Sequence, residues 1–253
     1  TILFPNKNSL SGDYEKQRSV PRPGHADFVA HQKFGGFEDF RGGGHFSGRL
    51  TVGLVAAGVV AKKILSTLEI RASILEIGGE KDMEAGLQKA IDAKDSIGGI
   101  VECRVNGLPA GLGEPFFDSV ESLIGHAVFA IPAVRGIEFG TGFAAARMFG
   151  VEHNDPIADA TGKTVTNHAG GVVGGISNGN ELVFRIAIKP TSSTTKGQVT
   201  LHWNTLEPEV LSVKGRYHLC IALRVPVVLE AVTAFVLADL MMQVNKVSRV
   251  FAQ

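Results

Sequence analysis

Between Arg22 and Arg49 the chain reads RPGHADFVAHQKFGGFEDFRGGGHFSGR, a run with three histidines, seven glycines and three arginines. Residues of these types in company suit a loop that holds a cofactor or a phosphate. Glycines let the backbone come close to a ligand and free N–H groups to point inward. Ser47 adds a hydroxyl and Arg49 a permanent fork of donors suited to phosphate. A helix expected from about Val52 directs its positive N-terminal end at the same place. A glycine-rich turn with a helix cap accounts for the same residues, so the run by itself leaves both readings open. His25 stands in RPGHAD, where Arg22 and Asp27 can poise it as a proton donor near neutral pH. His31 has no comparable setting and is expected to be structural.

Further stretches carry donors as well. NHAGGVVGGISNGN, residues 167–180, is a second glycine-rich loop that feeds into ELVFRIAIKP. At the end of that stretch Lys189 and Pro190 precede three hydroxyl residues, Thr191, Ser192 and Ser193. They suit a clamp on a phosphate or a ring edge, and equally an ordinary strand-ending turn. KGRYHLC, residues 214–220, adds Arg216 and His218. No metal is expected, because HExxH is missing and EHND lacks a second ligand cluster at helical spacing. GIEFGTGFAAARMFG places Gly140, Gly142 and Ala145 as GxGxxA, the spacing of a dinucleotide fingerprint. The helix that follows is short, ended by Gly150 and Pro156, and no second parallel strand offers an acidic tip. The fingerprint is read as false.

The elements that must position these residues follow from periodicity. Apolar positions 52, 55, 56, 59, 60 and 64 predict a helix running to about Leu68. In GGIVECRVNG, Val101, Cys103 and Val105 alternate with Glu102 and Arg104, a strand pattern. A helix over about 117–130 and a strand at 136–139 come next, then the clearest strand, with Leu182, Phe184, Ile186 and Ile188 on one face. Pro226 in a first turn marks the last helix. That helix lies in VPVVLEAVTAFVLADLMM, residues 225–242, whose Glu230 and Asp239 fall about half a helical revolution apart. A lipid-facing helix cannot hide both, at roughly 2.5–3.5 kcal/mol for each carboxylate at mid-bilayer, so a buried helix and no membrane partner are expected.

The 253 residues show no composition break, and 25 basic side chains balance 25 acidic ones. A single domain of α/β or α+β class is expected, with antiparallel sheets favoured by the alternating strands. The charge balance argues against a nucleic-acid binder driven by bulk charge. Cys103 and Cys220, far apart and outside any CxxC, fit a reduced cytoplasmic compartment. TILFPNKNSL lacks the pattern of a secretory signal.

Taken together, the pieces resemble chorismate synthase over nearly the whole chain. The likeness rests on RPGHAD, RGGGHFSGRLT, LVAAGVVAKKIL, DSIGGIVECRVNGLPAGLGEP, IPAVRGIEFGTGF, VEHND, TNHAGGVVGGISNGN, KPTSS and CIALRVPVVLEAVTAFVLADL, in that order. The resemblance implies an α+β fold, a β-α-β sandwich of antiparallel sheets around central helices, assembled as a homotetramer with FMN in each subunit. It implies conversion of 5-enolpyruvylshikimate 3-phosphate to chorismate and phosphate by 1,4-anti elimination in the shikimate pathway. Reduced FMN takes part without net redox change, and NADPH is a possible reductant. Carried across by motif, His25 is a catalytic group near the flavin. His45, Phe46, Ser47, Pro132, Ala133, Gly174, the run Lys189–Ser193 and Arg216 are flavin contacts. Arg22, Arg49 and Arg216 are candidate substrate-anion ligands. The two glycine tracts and this cationic rim are expected to converge.

The chain departs from the family pattern in two places. It begins after the Gly-Glu-Ser-His-Gly segment that carries a second essential histidine, and it has Arg216-Tyr217-His218-Leu219 where the family has Arg-His-Asp-Pro. His218 thus stands in for a catalytic aspartate, and an impaired, flavin-binding polypeptide is one expected outcome. An NAD(P)-dependent oxidoreductase built on GTGFAA is the reading from another class.

Overall fold

The structure, a computed structural model, describes residues 1–5, 18–212 and 218–244. Eight strands are formed among them: β1 Glu69–Ile77, β2 Gly99–Asn106, β3 Val134–Phe139, β4 Val172–Val173, β5 Ile176–Ser177, β6 Leu182–Ile188, β7 Gln198–Leu201 and β8 Pro208–Leu211. Four of them make one sheet in the order β1-β2-β6-β3, every neighbouring pair antiparallel. β4–β5 and β7–β8 are separate two-stranded ribbons. The helices are α1 Asp27–Phe34, α2 Thr51–Ile64, α3 Met83–Ala93, α4 Val120–Val128, α5 Gly150–His153 and α6 Val225–Gln243. The class is α+β, as expected.

Period-2 alternation decides which face of the sheet is dry. Val101, Cys103, Val105, Leu182, Phe184 and Ile186 are all buried, while Arg104 and Arg185 stand on the opposite face. Against the dry face lies α6, which packs on β1 and β2 and is covered by α2 and α4. Leu229, Val232, Ala234 and Leu237 of α6 are buried, so the helix is apolar all round because protein surrounds it. It is long and apolar enough by composition to cross a membrane, yet here it is the central core helix. Glu230, its carboxylate in that setting, pairs with Lys62 of α2 and accepts the Ala72 backbone N–H of β1 at 2.9 Å. Thr233 returns its hydroxyl to Leu229 O at 2.8 Å. Beside it, burial pushes the Cys103 thiol up to about 12, so that group is a neutral apolar filler.

The α2–α6 crossing is closed by small residues. A Cβ placed on Gly58 would overlap the Cα and Cβ of Ala231. Ala61, one turn on, is buried in the same seam.

Several expectations change in detail. The helix expected to reach Leu68 ends at Ile64. The glycine- and histidine-rich run is not one loop: Asp27–Phe34 is helical, stopped by Gly35 in the left-handed region at φ 59°, and Arg41–Phe46 is a 3₁₀ turn. The false fingerprint is false for a visible reason. β3 is antiparallel to β6, residues 142–147 form a 3₁₀ turn, and a Cβ on Gly140 would overlap the His168 carbonyl. Gly140 is glycine for a backbone crossing, not for a pyrophosphate.

Gly58→Ala is expected to destabilise the protein by about 1–3 kcal/mol through overpacking, despite its better helix propensity. Gly53→Ala, on the same helix with nothing within 4 Å of the new methyl, should instead gain roughly 0.5–1 kcal/mol. Urea unfolding of the two variants checks the contrast in sign.

Candidate active site

Past the last residue of β6 three segments meet. The Lys189 N–H donates to Ala133 O at 3.0 Å, which locks the Pro132–Ala133 turn to the strand end. Ala133 adopts φ 74°, a strained value for a residue with a Cβ. The Lys189 Nζ donates to Gly24 O at 2.5 Å, bringing in the loop before α1. A Cβ on Gly24 would lie 3.7 Å from Ser192 Cβ, and Ser96 Oγ donates to Thr191 O at 2.7 Å. The run Lys189–Ser193, the Pro132–Ala133 turn and the Arg22–His25 loop therefore share one rim.

His25 is held by a charged neighbour pair. Its Nδ1 lies 2.5 Å from Asp27 Oδ1. Arg22 donates to Asp27 from Nε at 2.7 Å, from Nη2 at 2.8 Å and from its backbone N–H at 3.0 Å. Burial works to raise the Asp27 pKa, but the hydrogen bonds and charges of Arg22 and His25 hold it well below the usual carboxylate range. Arg22, expected to bind a substrate anion, is thus turned to a carboxylate of its own chain, with its side chain 11% exposed. A fourth segment, around Gly43, approaches the other edge of the imidazole. A Cβ on Gly43 would sit 3.5 Å from His25 Nε2 and 3.8 Å from Ser47 Cβ, and Gly43 has φ 86°. Ser47 Oγ accepts from the Arg49 backbone N–H at 3.3 Å and its Nε at 3.2 Å, so the hydroxyl orders the chain as it enters α2. His45 and Phe46 are exposed beside it. A cavity of about 40 Å³ between Arg22, Asp27, Gly43, Phe46 and Trp203 is too small for a flavin ring. His31 is structural, as expected: it pairs with Glu38 at 3.0 Å and packs its ring 4.4 Å from that of Trp203.

His218 is exposed on the same side, since Leu219 O accepts the Ile97 N–H at 2.9 Å next to Ser96. Partial burial, with the charge of Arg224 adding to it, lowers its pKa and favours the neutral imidazole. Arg216 lies outside the described residues.

Gly174 does not join this rim. It sits in the β4–β5 turn, whose next residue Gly175 accepts the Val120 N–H at the start of α4. That places it at the opening end of β6, and the seven residues of the strand span roughly 23 Å. Within one chain the two glycine tracts are apart, contrary to the expected convergence. Gly170 and Gly171 are small because β6 runs against them: a Cβ would lie 2.7 Å from Val183 O and 2.5 Å from Glu181 O. The loop before them hangs on Asp155, which accepts Thr166 Oγ1 at 2.7 Å and the N–H groups of His168 and Ala169 at 2.8 and 2.9 Å.

One polar cluster was not anticipated. Glu102, 6% exposed, accepts Arg104 Nε at 2.7 Å and Arg185 Nε at 2.9 Å, while Arg104 also reaches Glu181 at 2.8 Å. Its signal was present in the strand pattern, because Glu102 and Arg185 are direct cross-strand partners.

Comparison with known proteins identifies this assembly of parts. The chorismate synthase family profile matches residues 1–242. A chorismate synthase of Chitinophaga pinensis is 69% identical over 252 residues, 99% of this chain and 76% of that protein. The chain belongs to the chorismate synthase family. A chorismate synthase of Dehalococcoides mccartyi is 44% identical over 283 residues, covering all of this chain and 78% of the relative. A crystal structure of a chorismate synthase superposes with a TM-score of 0.67 at 25% identity, over 84% of this chain and 69% of that one. Chorismate synthase is a carbon–oxygen lyase of aromatic biosynthesis that eliminates phosphate from 5-enolpyruvylshikimate 3-phosphate. The lyase reading stands, and nothing in these likenesses supports the oxidoreductase.

Asp155 gives the chorismate synthase fold a testable acid-sensitive anchor. Burial raises its pKa, but the amides of Ala169 and His168 and the Thr166 hydroxyl outweigh that and lower it. A lowered folded pKa contributes stability above the ordinary carboxylate value, and that stability is lost as pH falls through the folded value. Asp155→Asn should cost about 1–3 kcal/mol at pH 6. The gap from the parent protein should narrow at about pH 3, below the ordinary carboxylate value of about 3.9. Urea titrations of both proteins at the two pH values measure it.

Proposed function

We propose that the rim past the end of β6 is where this chorismate synthase binds reduced FMN and 5-enolpyruvylshikimate 3-phosphate. The observation that carries this reading is Lys189. Through its N–H it fixes the Ala133 turn and through its Nζ it fixes the Gly24 loop, so phosphate-binding donors and the histidine loop share one residue. The donor set fits FMN. Lys189, Thr191, Ser192 and Ser193 offer an ammonium group and three hydroxyls to phosphate and ribityl oxygens. Pro132 and Pro190 shape the backbone between them, and His45 and exposed Phe46 offer flat faces to a ring.

In the 1,4-anti elimination the C–O bond breaks and its electron pair leaves with phosphate. The existing double bond shifts and the electrons of the broken C–H bond form the new one, while the proton goes to a base. Atoms and electrons balance with no net redox change. Reduced FMN, when bound, supplies transient electron density to the ring as phosphate departs. The protein supplies the rest. Lys189 and Arg49 set positive charge against the departing dianion. His25 Nε2, on the ring edge beside Gly43, can hold or move one proton there. His218, neutral near pH 7, is a base where relatives of the expected pattern carry aspartate.

The finer parts of the reading follow. The described core is one hydrophobic cluster, which supports a single domain. The enzyme assembles as a homotetramer: Gly174 stands at the far end of β6, so it reaches a flavin only from a second copy, and Val59, Val60, Phe143 and Phe149 are exposed apolar surface. NADPH is the reductant of the flavin, and free thiols at Cys103 and Cys220 fit a cytoplasmic site of action.

Phosphate release from the substrate, measured anaerobically with photoreduced FMN, tests the site. His25→Ala should lower kcat by roughly 10²–10⁴. Lys189→Ala should weaken FMN binding about tenfold or more, the value of one charge-assisted hydrogen bond. An unchanged rate in the first variant and unchanged FMN affinity in the second reject the placement.

A further inference from the structure

The geometry points to Arg22 and Asp27 as positioning residues that set the tautomer of His25, holding its proton on Nδ1 and leaving Nε2 bare toward the rim. This deepens the reading of His25 as the group acting there, and rests on it for its consequence in catalysis, though not for the tautomer itself.

Asp27 Oδ1 is the hub. It lies 2.5 Å from His25 Nδ1 and 2.8 Å from Arg22 Nη2, and those two nitrogens are 3.1 Å apart. Two arrangements of hydrogens are open to such a triangle. With Nδ1 bare, Arg22 could donate to it, but Nδ1 and a carboxylate oxygen would then face each other as two lone pairs at 2.5 Å. With Nδ1 protonated, both nitrogens donate to one oxygen, which has lone pairs for two, and the 3.1 Å separation is simply the third side. The second arrangement satisfies every group. It also requires Asp27 to be ionised, and Arg22, which is always charged, ensures that by chelating both carboxylate oxygens.

The exposures fit this role. The side chains of Arg22, His25 and Asp27 are 11, 18 and 24% exposed, so the trio is largely shielded from water. Gly43 lies along the Nε2 edge of the ring, and having no side chain it leaves that edge covered by backbone alone. Arg22 is thereby moved from the substrate-binding set to the support of the histidine, and the positive charge meeting substrate falls to Lys189 and Arg49.

The experiment reads the tautomer directly. In the full chain labelled with ¹⁵N-histidine, with and without FMN, the His25 ring is assigned by its loss in His25→Gln. The neutral ring should show protonated Nδ1 and bare Nε2. Observation of the Nε2–H tautomer overturns the proposal whatever any variant does. Asp27→Asn, whose amide can turn its NH₂ toward Nδ1, should shift the ring toward Nε2–H. Its kcat should fall between about 10-fold and 10⁴-fold, the upper figure being the loss from the same exchange in a Ser-His-Asp triad. KM should stay within about twofold, since no group that touches substrate is removed. Asp27→Glu, which keeps the carboxylate, should restore the Nδ1–H form and most of kcat. It carries the test should Asp27→Asn not fold. A kcat loss with the tautomer unchanged, or a tautomer change with kcat intact, overturns the positioning role. Loss of the underlying reading is separate: it shows as full activity in His25→Ala, whatever the tautomer of the parent protein.

Discussion

A carboxylate on an otherwise apolar helix has to be answered, and the answer to Glu230 sets the frame. α6 is buried along much of its length, and while its Asp239 is exposed to water, Glu230 faces α2 and β1, where a cation and a donor meet it. Lys62 of α2 supplies the first and the Ala72 amide of β1 the second. Because both side chains keep some contact with water, removing one partner should cost less than breaking a fully buried pair. The consequence is registry. One side chain ties the core helix, the covering helix and the edge strand of the sheet in a single alignment. The contact of Gly58 with Ala231 lets the two helices come near enough for the tie to form.

With that frame in place, β6 acts as a ruler. It is central in the sheet, its inner face is buried, and its two ends carry different duties. The opening end is packed backbone against backbone, where Gly170 and Gly171 are needed because Gly140 and the start of β6 leave no room for Cβ. The closing end delivers Lys189 at a fixed point on the rim. Glycines thus serve two unlike purposes in this chain: steric passage beside β6 and, at Gly43 in the Arg41–Phe46 turn, close packing against a histidine edge.

Much of the sheet was legible because burial on one face imprints alternation. β2 and β6 were readable from Val101, Cys103, Val105, Phe184 and Ile186. β1 was not, for a physical reason: a register shift between Ile74 and Glu76 breaks its period, so buried Ile77 falls out of step with Ile70. α3 buries only Gly86 and Ala90, too small to produce an apolar stripe, although Asp82 caps it through the amides of Glu84 and Ala85. α1 was hidden by the glycines around it. In the site, residue types were visible and partners were not. His25, Lys189 and the hydroxyl run could be singled out, whereas the turning of Arg22 toward Asp27 and the separation of Gly174 depend on folding.

Local neutralisation explains how a chain of balanced charge can present a cationic rim of the kind the proposed anion site requires. Arg22 and Asp27 cancel each other within hydrogen-bond distance, and Glu102 is likewise satisfied by Arg104 and Arg185 on the outer face of the sheet. Charges so paired contribute little field beyond a few ångströms. Lys189 spends one of its donors on a carbonyl, which is neutral, so its full charge still projects over the rim. On the proposed reading, specific pairing elsewhere, rather than any excess of basic residues, leaves Lys189 and Arg49 to set the sign of the site.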